Sequence, residues 1–325
     1  MRSAAVAKLF GENERVVVLA TDHRYFGVYS GLEKPGEVIK PLLPYTDILM
    51  TDPGILRNYL DRRTLKTPVI LRASGCSSVA DIEVPGYLQL PAKHAYKQMT
   101  GKDFDTTFKE YSEKAEKGQL SETEEKEYTM MNSVIYMPDT IANERLILHG
   151  QDVIDEGGAG AAISVYIGTA YQTQTLDNLA TMSREVRKFS LPVLGVVAVG
   201  KALGYLERDA DYLTRAGVIL VAHGADIVKT YNCGKGFEKV VEACGVPVVV
   251  AGGRLPKGKD ATVDSIELAY DCMQKGAAGI DFGRRVWRHE HPVAMIRSLN
   301  EIVHHDATID EALEKYHEWV REENA

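Results

Sequence analysis

Short apolar runs recur along the chain, and segments of helical length separate most of them. The runs are rich in valine, isoleucine and alanine, and few of them alternate with polar residues. Such continuous runs are typical of parallel strands that are buried on both faces. The pattern predicts eight strands, at residues 16–20, 47–51, 69–74, 161–168, 193–200, 225–231, 246–253 and 279–283.

The segments between these runs have the length that right-handed crossovers between parallel strands require. Helices are predicted at residues 34–43, 176–189, 209–223 and 265–275, and an amphipathic helix at 309–323. Eight strand–helix units close most economically into a (β/α)8 TIM barrel, which is an α/β fold. A doubly wound open sheet is the alternative, although no Gly-x-Gly-x-x-Gly motif follows the first strand.

One long segment interrupts this rhythm after the third predicted strand. Residues 84–131 are polar and charged. Helical composition at 106–117 and 121–131, with a capping signature that begins at Ser121, predicts an insertion of one or two helices. Long loops tend to be functional, but charge runs are usually only solvated. The insertion is therefore interpreted either as a lid or subunit contact, or as a surface excursion.

The length and composition are compatible with one large domain. Of the 325 residues, 45% are hydrophobic and 26% are charged, as in ordinary globular proteins. Barrels commonly reach about 250 residues or more as one domain. We therefore interpret residues 1–325 as a single barrel that contains the insertion, although the length alone is equally compatible with two domains.

Charge and cysteine usage argue against several classes of protein. The net charge of -8 provides no basic field for nucleic acid or an anionic membrane. No apolar run approaches the roughly 18 residues of a membrane-spanning helix, and no signal-peptide core is recognised at the start. The four cysteines show no spacing of a disulfide framework or a metal site. A cytoplasmic protein without a metal is expected.

A single lysine, Lys229, stands in the sixth apolar run, where an apolar residue is expected. In a barrel, the carboxyl ends of the strands face the active site. Burial of an amine disfavours its charged form and leaves a nucleophile that can attack a carbonyl carbon. Lys229 is therefore a candidate for a Schiff-base lysine, and a structural lysine that pairs with an acid is the alternative.

Other polar residues lie at the same ends of the predicted strands. Tyr166 closes the fourth strand and could exchange a proton with a substrate hydroxyl, or could simply pack. Asp22, which follows the first strand, could act as an acid or base, orient the lysine, cap a helix or pair with its neighbour His23. Lys201 follows the fifth strand and could be a second amine in the site, although a surface position is favoured. The possible substrate-binding residues are His23, Arg72, Lys201 and Tyr231.

Glycines follow the last two strands, where barrels bind phosphate. Gly252 and Gly253 follow the seventh strand, and Gly283 with Arg284 follows the eighth. Glycine permits the close approach of backbone N–H groups, and arginine can bind an anion with two hydrogen bonds. The pattern favours a phosphate site over simple turns. With an amine on the sixth strand, it predicts a phosphorylated carbonyl compound as the substrate.

These residues lie in segments that resemble the class I aldolases of the archaeal-type fructose-bisphosphate aldolase and deoxyribose-phosphate aldolase superfamily. Within that superfamily, the chain is most similar to the thiolases of autoinducer-2 breakdown. The segments cover nearly the whole chain outside the insertion, and they follow the order of the family. They are TDHRYFGVYSGLE (21–33), GILR (54–57), LRASG (71–75), VYIG (165–168), VGK (199–201), IVKTYNCGKGFE (227–238), VVVAGG (248–253), GIDFGRRVW (279–287) and HPVAMI (291–296).

The resemblance implies roles for individual residues. Lys229 would form the iminium, and Tyr166 and Asp22 would assist proton transfer. Phosphate would be held by Gly252, Gly253, Gly283 and Arg284. Two positions depart from the family pattern, since Asn232 stands where tyrosine is common and Arg285 where asparagine is common. The insertion is also foreign to the pattern. A different substrate pocket is therefore expected.

The resemblance also implies an activity and its alternatives. The expected reaction is carbon–carbon bond cleavage or formation on a short phosphorylated ketose or diketone. No cofactor is implied, and coenzyme A is a co-substrate if the enzyme is a thiolase. A homo-oligomer, in the form of a ring or a double ring, is expected. A class I fructose-bisphosphate aldolase is the first alternative. A metal-dependent barrel and a non-catalytic ligand-binding barrel are alternatives of other classes.

Overall fold

Eight parallel strands form a closed barrel, and their carboxyl ends lie at the same face of it. The computed structural model describes residues 4–11, 13–27, 30–76, 86–135, 142–253, 255 and 258–323. The strands are β1 (Val16–Ala20), β2 (Ile48–Thr51), β3 (Val69–Arg72), β4 (Ser74–Cys76), β5 (Glu144–Leu146), β6 (Gly160–Val165), β7 (Val193–Val197), β8 (Ile227–Thr230), β9 (Val248–Ala251) and β10 (Gly279–Phe282). All except β4 and β5 are parallel and close in the order β1-β2-β3-β6-β7-β8-β9-β10. The predicted (β/α)8 barrel is confirmed.

The helices follow the strands as the apolar pattern predicts. They are α1 (Ala4–Phe10), α2 (Pro35–Ile39), α3 (Pro53–Tyr59), α4 (Gly86–Thr100), α5 (Phe104–Glu116), α6 (Glu122–Ile135), α7 (Gly150–Asp155), α8 (Gln172–Arg187), α9 (Ala210–Ala222), α10 (Phe237–Cys244), α11 (Ala261–Gln274), α12 (Arg284–Trp287), α13 (Pro292–His305) and α14 (Ile309–Glu323). Short 3-10 helices span Asp22–Phe26, Lys40–Tyr45 and Lys201–Arg208. The helix predicted at 34–43 is divided into α2 and a 3-10 turn, because Pro41 and Pro44 lack the N–H groups that an α-helix needs.

Alternate residues of each barrel strand point inward. Val16 and Val18 of β1 belong to the apolar cluster inside the barrel, whereas Val17 and Leu19 pack outward with the helices. Ile227 of β8 is also inside. Because side chains alternate with a period of two, Lys229 points into the barrel as well.

Helix α1 closes the amino-terminal end of the barrel. Its buried side chains belong to the interior cluster, and they are Val6, Leu9 and Phe10. The lower part of the barrel is therefore filled by apolar side chains. Nearer the carboxyl ends, several inward positions carry polar side chains instead, namely Arg72, Ser164, Lys229 and Asp281. This is the end of the barrel where an active site is expected.

The insertion lies between the antiparallel strands β4 and β5. Its described residues form three helices, α4 to α6, so the prediction of one or two helices is wrong; helix α4, which contains Pro91, was not recognised. The capping signature is confirmed, since Ser121 N donates to Glu124 Oε2 at 2.9 Å. The three helices share a small apolar core of their own, which contains Tyr96, Phe104, Tyr111 and Met131.

The insertion touches the barrel at one side of its open end. Lys126 of α6 lies over the ring of Tyr205, in the 3-10 helix that follows β7, at 5.8 Å from the ring centroid. The insertion thus flanks the carboxyl-terminal face, and its role as a lid or a subunit contact stays a prediction. Within the described part of the chain, no helix has the length and apolar character needed to cross a membrane.

Candidate active site

Lys229 and Asp281 form an enclosed ion pair inside the barrel. Lys229 Nζ, from β8, lies 3.0 Å from Asp281 Oδ1, from β10. The side chains are 10% and 0% exposed. In the part of the chain that the structure describes, neither Asp281 oxygen receives a hydrogen bond of standard geometry, so the carboxylate depends on the lysine charge. Burial raises the pKa of Asp281, although the Lys229 charge opposes this shift.

Asp22 pairs with Arg72 rather than directly with the lysine. Asp22 Oδ2 accepts hydrogen bonds from Arg72 Nε at 2.7 Å and from Arg72 Nη2 at 2.6 Å. The remaining Arg72 Nη1 donates to Ser164 Oγ at 2.7 Å. Burial alone would raise the pKa of Asp22, but the charges of Arg72 and Lys229 outweigh it and lower that pKa. Asp22 is therefore ionised, and its Oδ2 is already occupied by Arg72.

A second buried carboxylate, that of Glu144, receives three hydroxyl groups. Tyr25 and Tyr166 donate to Glu144 Oε1 at 3.0 and 3.2 Å. Ser74 donates to the other oxygen, Oε2. Glu144 is fully buried, and burial raises its pKa. Burial also raises the pKa of Tyr166 well above its ordinary value.

His23 lies at the edge of this network. Its Nδ1 is 3.9 Å from Asp22 Oδ1, and its ring meets Trp287 edge to face at 5.8 Å between centroids. Burial lowers the pKa of His23 to about 4. The imidazole is therefore neutral near pH 7, and it is not an acid at that pH.

The glycines after β9 and β10 lie in tightly packed backbone. A Cβ at Gly283 would lie 2.6 Å from the Ala20 carbonyl oxygen and 3.2 Å from the His23 ring. Gly253 has a φ of 61°, a conformation that favours glycine. Gly283 directly precedes α12, in which Arg284 is the first residue. Close packing at Gly283 and backbone conformation at Gly253 therefore account for these two glycines without a ligand, and a phosphate-binding role remains a prediction.

The two departures from the family pattern line one pocket beside the site. The pocket has a volume of about 330 Å³, and Tyr231, Gly252 and Gly253 also line it. Arg285 donates through Nε to the Gly252 carbonyl and through Nη1 to Asp264 Oδ2 at 2.8 Å. Arg285 therefore fixes the turn after β9.

Asn232 has a comparable structural role in the turn after β8. Its Nδ2 donates to Asp271 Oδ2 at 2.7 Å, and its Oδ1 accepts from Gly234 N at 2.7 Å. Lys275 donates to the same Asp271 oxygen at 2.7 Å. The turns after β8 and β9 are thus both held by α11, which carries Asp264 and Asp271.

The structure brings most of the predicted site residues to one end of the barrel. Lys229, Asp22, Arg72, His23 and Tyr166 belong to one network of buried charges and hydroxyl groups. Tyr231 is half-buried and lines the adjacent pocket. Lys201 begins the 3-10 helix after β7, but its side chain lies outside the described residues.

Sequence reasoning assigned no role to five members of the site. Asp281 carries the same signal as Lys229, because it is a charged residue in an apolar strand. Glu144 lies on β5, which pairs with β4 from the far side of the insertion. No local pattern indicates that a residue in this hairpin reaches the barrel. The other three are Tyr25 and Ser164, which contact Arg72, and Ser74, which donates to Glu144.

The placement of the described His, Cys, Asp and Glu side chains bears on the metal-dependent alternative. Among the described residues, no three side chains of His, Cys, Asp or Glu are placed to hold one ion. The metal-dependent alternative therefore has no support from a ligand set in this part of the chain.

Comparison with known proteins places the chain in a family. A family model described as DeoC/LacD family aldolase matches residues 121–289, which is a little more than half of the chain. A protein of Shigella flexneri, named 3-hydroxy-5-phosphonooxypentane-2,4-dione thiolase, is 32% identical over 304 residues, which cover 93% of each chain. The chain belongs to the DeoC/LacD family of class I aldolases. The resemblance inferred from the sequence is confirmed.

Other relatives agree with this assignment. A protein of the same name from Escherichia coli K12 is 31% identical over 303 residues, covering 93% of this DeoC/LacD aldolase and 81% of the relative. An archaeal fructose 1,6-bisphosphate aldolase has a similar structure, with a TM-score of 0.64 and 19% sequence identity. The match covers 92% of this chain and 97% of the relative. A fructose-bisphosphate aldolase from Slackia heliotrinireducens has a TM-score of 0.66 and 14% sequence identity. The match covers 96% of this chain and 88% of the relative. At these identities, the two structures support the fold alone.

Proposed function

We propose that this DeoC/LacD aldolase breaks or forms a carbon–carbon bond through a Schiff base on Lys229, and that its substrate is a short phosphorylated ketose or diketone. The observation that carries the proposal is the enclosed Lys229–Asp281 pair at the open end of the barrel. A buried lysine is costly, and here its amine lies where barrel enzymes hold their substrates.

Asp281 can prepare the lysine for attack. The ammonium group must lose a proton before it becomes a nucleophile, and the carboxylate at 3.0 Å can accept that proton. The neutral amine then adds to the substrate ketone to give a carbinolamine. Asp281 then returns its proton to the carbinolamine hydroxyl, which leaves as water. The protonated imine that remains has the ionised Asp281 carboxylate as its counter-ion.

The iminium group provides the driving force for cleavage. When the adjacent carbon–carbon bond breaks, its electron pair moves into the iminium and gives an enamine. The enamine takes up a proton, and water then releases the product from Lys229. In aldol cleavage the other fragment leaves as an aldehyde. In acyl transfer a thiol adds to the other carbonyl first, and the fragment leaves as a thioester.

A phosphate site after β9 and β10 is part of the proposal. Gly252, Gly253, Gly283 and Arg284 would hold the phosphate, as the family resemblance implies. Support comes from the positions of these residues at the last two strand ends, next to the pocket of about 330 Å³. The pocket lining itself has no excess of positive charge, because the cations Arg208, Lys259 and Arg285 are joined there by four carboxylates, Glu207, Asp264, Glu267 and Asp271.

The relatives favour one substrate class. Two relatives that are 31–32% identical are named as thiolases of 3-hydroxy-5-phosphonooxypentane-2,4-dione, a phosphorylated diketone. We therefore propose such a diketone as the first candidate, with coenzyme A as the acyl acceptor. Fructose 1,6-bisphosphate, which appears in the names of the structural relatives, is the second candidate.

Borohydride trapping tests the proposal. The protein is incubated with 3-hydroxy-5-phosphonooxypentane-2,4-dione or with fructose 1,6-bisphosphate, with and without coenzyme A, then reduced and analysed by peptide mass spectrometry. The expected result is a substrate-sized adduct on Lys229, which coenzyme A diminishes if the enzyme is a thiolase. The Lys229→Met variant, which retains the length of the side chain but not the amine, should give no adduct.

Two further outcomes decide between the alternatives. If neither compound labels any lysine of the wild-type protein, the Schiff-base proposal for these substrates is wrong. If a chelator abolishes activity while Lys229→Met retains it, the metal-dependent alternative is correct. A homo-oligomeric ring remains a separate proposal, which light scattering of the purified protein would test.

A further inference from the structure

The Glu144 carboxylate is placed directly behind Tyr166. It is fully buried, so it cannot contact a substrate in the open end of the barrel. The Tyr166 hydroxyl donates to Glu144 Oε1 at 3.2 Å, and the Tyr166 side chain is itself almost fully buried. The phenol therefore lies at the carboxyl end of β6 with its proton directed toward a carboxylate.

This direction restricts what Tyr166 can do. While its proton points to Glu144, its oxygen can accept a hydrogen bond from another group, and the neighbouring Tyr25 hydroxyl competes for this position. Burial raises the pKa of Tyr166 well above its ordinary value, so a tyrosinate is not available as a base near pH 7. The phenol can accept a proton only if it passes its own proton on.

Carbon–carbon cleavage requires such an acceptor. One oxygen of the substrate changes from a hydroxyl to a carbonyl when the bond breaks, and its proton must leave. In aldol cleavage this oxygen is the hydroxyl two carbons from the iminium carbon. In acyl transfer it is the hydroxyl of the thiol adduct. Both routes therefore release one proton at an equivalent position.

We propose that Tyr166 and Glu144 form a proton relay for this step, in which Glu144 is the positioning residue that receives the proton. The substrate O–H proton moves to Tyr166 Oη while the Tyr166 proton moves to Glu144 Oε1. The electron pair of the O–H bond forms the new C=O bond, and the pair of the broken C–C bond enters the iminium. When the enzyme forms the carbon–carbon bond instead, the same proton transfers and electron-pair shifts occur in the opposite direction. The inference rests on the proposed Schiff-base function.

The surroundings of Glu144 fit an acceptor rather than a structural charge. Arg72 has the Asp22 carboxylate as its ion-pair partner at 2.6 Å, and its charge opposes the effect of burial on the pKa of Glu144 without outweighing it. Ser74 and Tyr25 donate to Glu144, which stabilises the ionised form before transfer. Burial raises the pKa of Glu144, which makes it a stronger base than an exposed carboxylate.

The backbone of the hairpin is held without the Glu144 side chain. The Glu144 carbonyl oxygen accepts hydrogen bonds from Gln174 Nε2 at 2.6 Å and from Asn178 Nδ2 at 2.9 Å. Strand β5 is also paired with β4. A change in the side chain can therefore remove the carboxylate and leave β5 in place, so the relay can be tested by substitution.

Glu144→Gln separates proton transfer from imine formation. The amide oxygen can still accept from Tyr166, but it cannot take up a proton. The variant is mixed with whichever of 3-hydroxy-5-phosphonooxypentane-2,4-dione and fructose 1,6-bisphosphate labels the wild-type protein. We expect labelling of Lys229 to be retained and the single-turnover cleavage rate to fall by about 10²–10⁴-fold. Tyr166→Phe should give a similar loss, and the double variant should be little slower than either single variant.

The pH dependence provides a readout that a structural role would not change. The wild-type cleavage rate should fall as the pH falls and Glu144 becomes protonated, and Glu144→Gln should lack this acid limb. Glu144→Asp keeps a titrating group, so it should retain the limb at a reduced rate. The Asp variant also serves if the Gln variant does not fold.

Glu127 offers a matched control in the insertion. It accepts the hydroxyls of Tyr96 at 2.5 Å and Tyr111 at 2.7 Å, as Glu144 accepts two tyrosines, but it lies among the inserted helices. Glu127→Gln should leave the cleavage rate and its pH dependence unchanged. The relay is wrong if Glu144→Gln labels normally and cleaves at the wild-type rate. Failure of the wild-type protein to label refutes the Schiff-base function instead.

Discussion

Lys229 Nζ and Asp281 Oδ1 lie 3.0 Å apart across β9, the strand that separates β8 from β10. Each residue is the one charged side chain of its short strand. Strand alternation directs both side chains inward, and each provides the opposite charge that the other requires in a buried position. The pair therefore explains how an amine can be kept inside the barrel.

Replacing one residue of this pair should lower the free energy of unfolding by more than its share of the loss seen when both residues are replaced. Asp281→Asn and Lys229→Met should each lower the free energy of unfolding by about 3–5 kcal/mol at pH 7, because each leaves one buried charge without a partner. The double variant should lose less than the sum of the two. Urea denaturation of the four proteins measures the coupling. Simple additivity would contradict the pairing.

Asp22→Asn should destabilise the protein in a pH-dependent way. The substitution leaves the Arg72 guanidinium without its carboxylate, at a cost of about 3–5 kcal/mol at pH 7. The folded-state pKa of Asp22 is lowered, so its stabilisation is complete above the ordinary value of 3.8 and is lost as the pH falls through the folded value. The difference from wild type should be equal at pH 7 and 5 and should decrease below pH 4 in urea titrations. A difference that grows on acidification would contradict the assignment.

The sequence predicts the barrel because strands that are buried on both faces require continuous apolar runs. It also predicts Lys229, because a charge in such a run conflicts with burial. Asp281 shows the same conflict, but its role becomes evident only from its contact with Lys229 in the structure. Glu144 could not be predicted, since its contact with Tyr166 depends on a hairpin that closes across the whole insertion. Local pattern identifies strand residues, but it does not identify pairings between distant segments.

The interior network shows a similar limit. Arg72 was predicted as a possible substrate ligand from its position at a strand end. In the structure its guanidinium donates to Asp22 and Ser164 and lies 4.8 Å from the centroid of the Tyr25 ring. A charged residue at a strand end can serve the substrate or a buried partner, and only the three-dimensional arrangement distinguishes them.

His23 should make the protein less stable at mildly acidic pH. Its pKa is about 4 in the folded state and 6.5 ordinarily, so the unfolded chain binds more protons between these values. Stability should therefore fall as the pH falls from 6.5 to 4, by up to about 3 kcal/mol. His23→Gln should remove this component. Urea denaturation at pH 7.5, 5.5 and 4.5 measures it, and parallel curves for the two proteins would contradict the burial of a neutral imidazole.

Gly283 and Arg284 should respond differently to substitution, although they are neighbours. Gly283→Ala places a Cβ 2.6 Å from the Ala20 carbonyl oxygen, which forces the backbone between β10 and α12 to move. We expect a loss of about 1–3 kcal/mol in the free energy of unfolding, as for overpacked sites. Urea denaturation measures this loss.

Arg284→Gln should instead act on the substrate. Removal of a charged hydrogen-bond donor from a phosphate should raise KM by about 10–100-fold, which corresponds to roughly 1.5–3 kcal/mol. Turnover of an unphosphorylated analogue of the same substrate should change little. Arg215→Gln, on the exposed side of α9, is the control for loss of a positive charge away from the site. Equal effects of Arg284→Gln on both substrates would show that Arg284 does not bind the phosphate, and that the glycine turns serve packing alone.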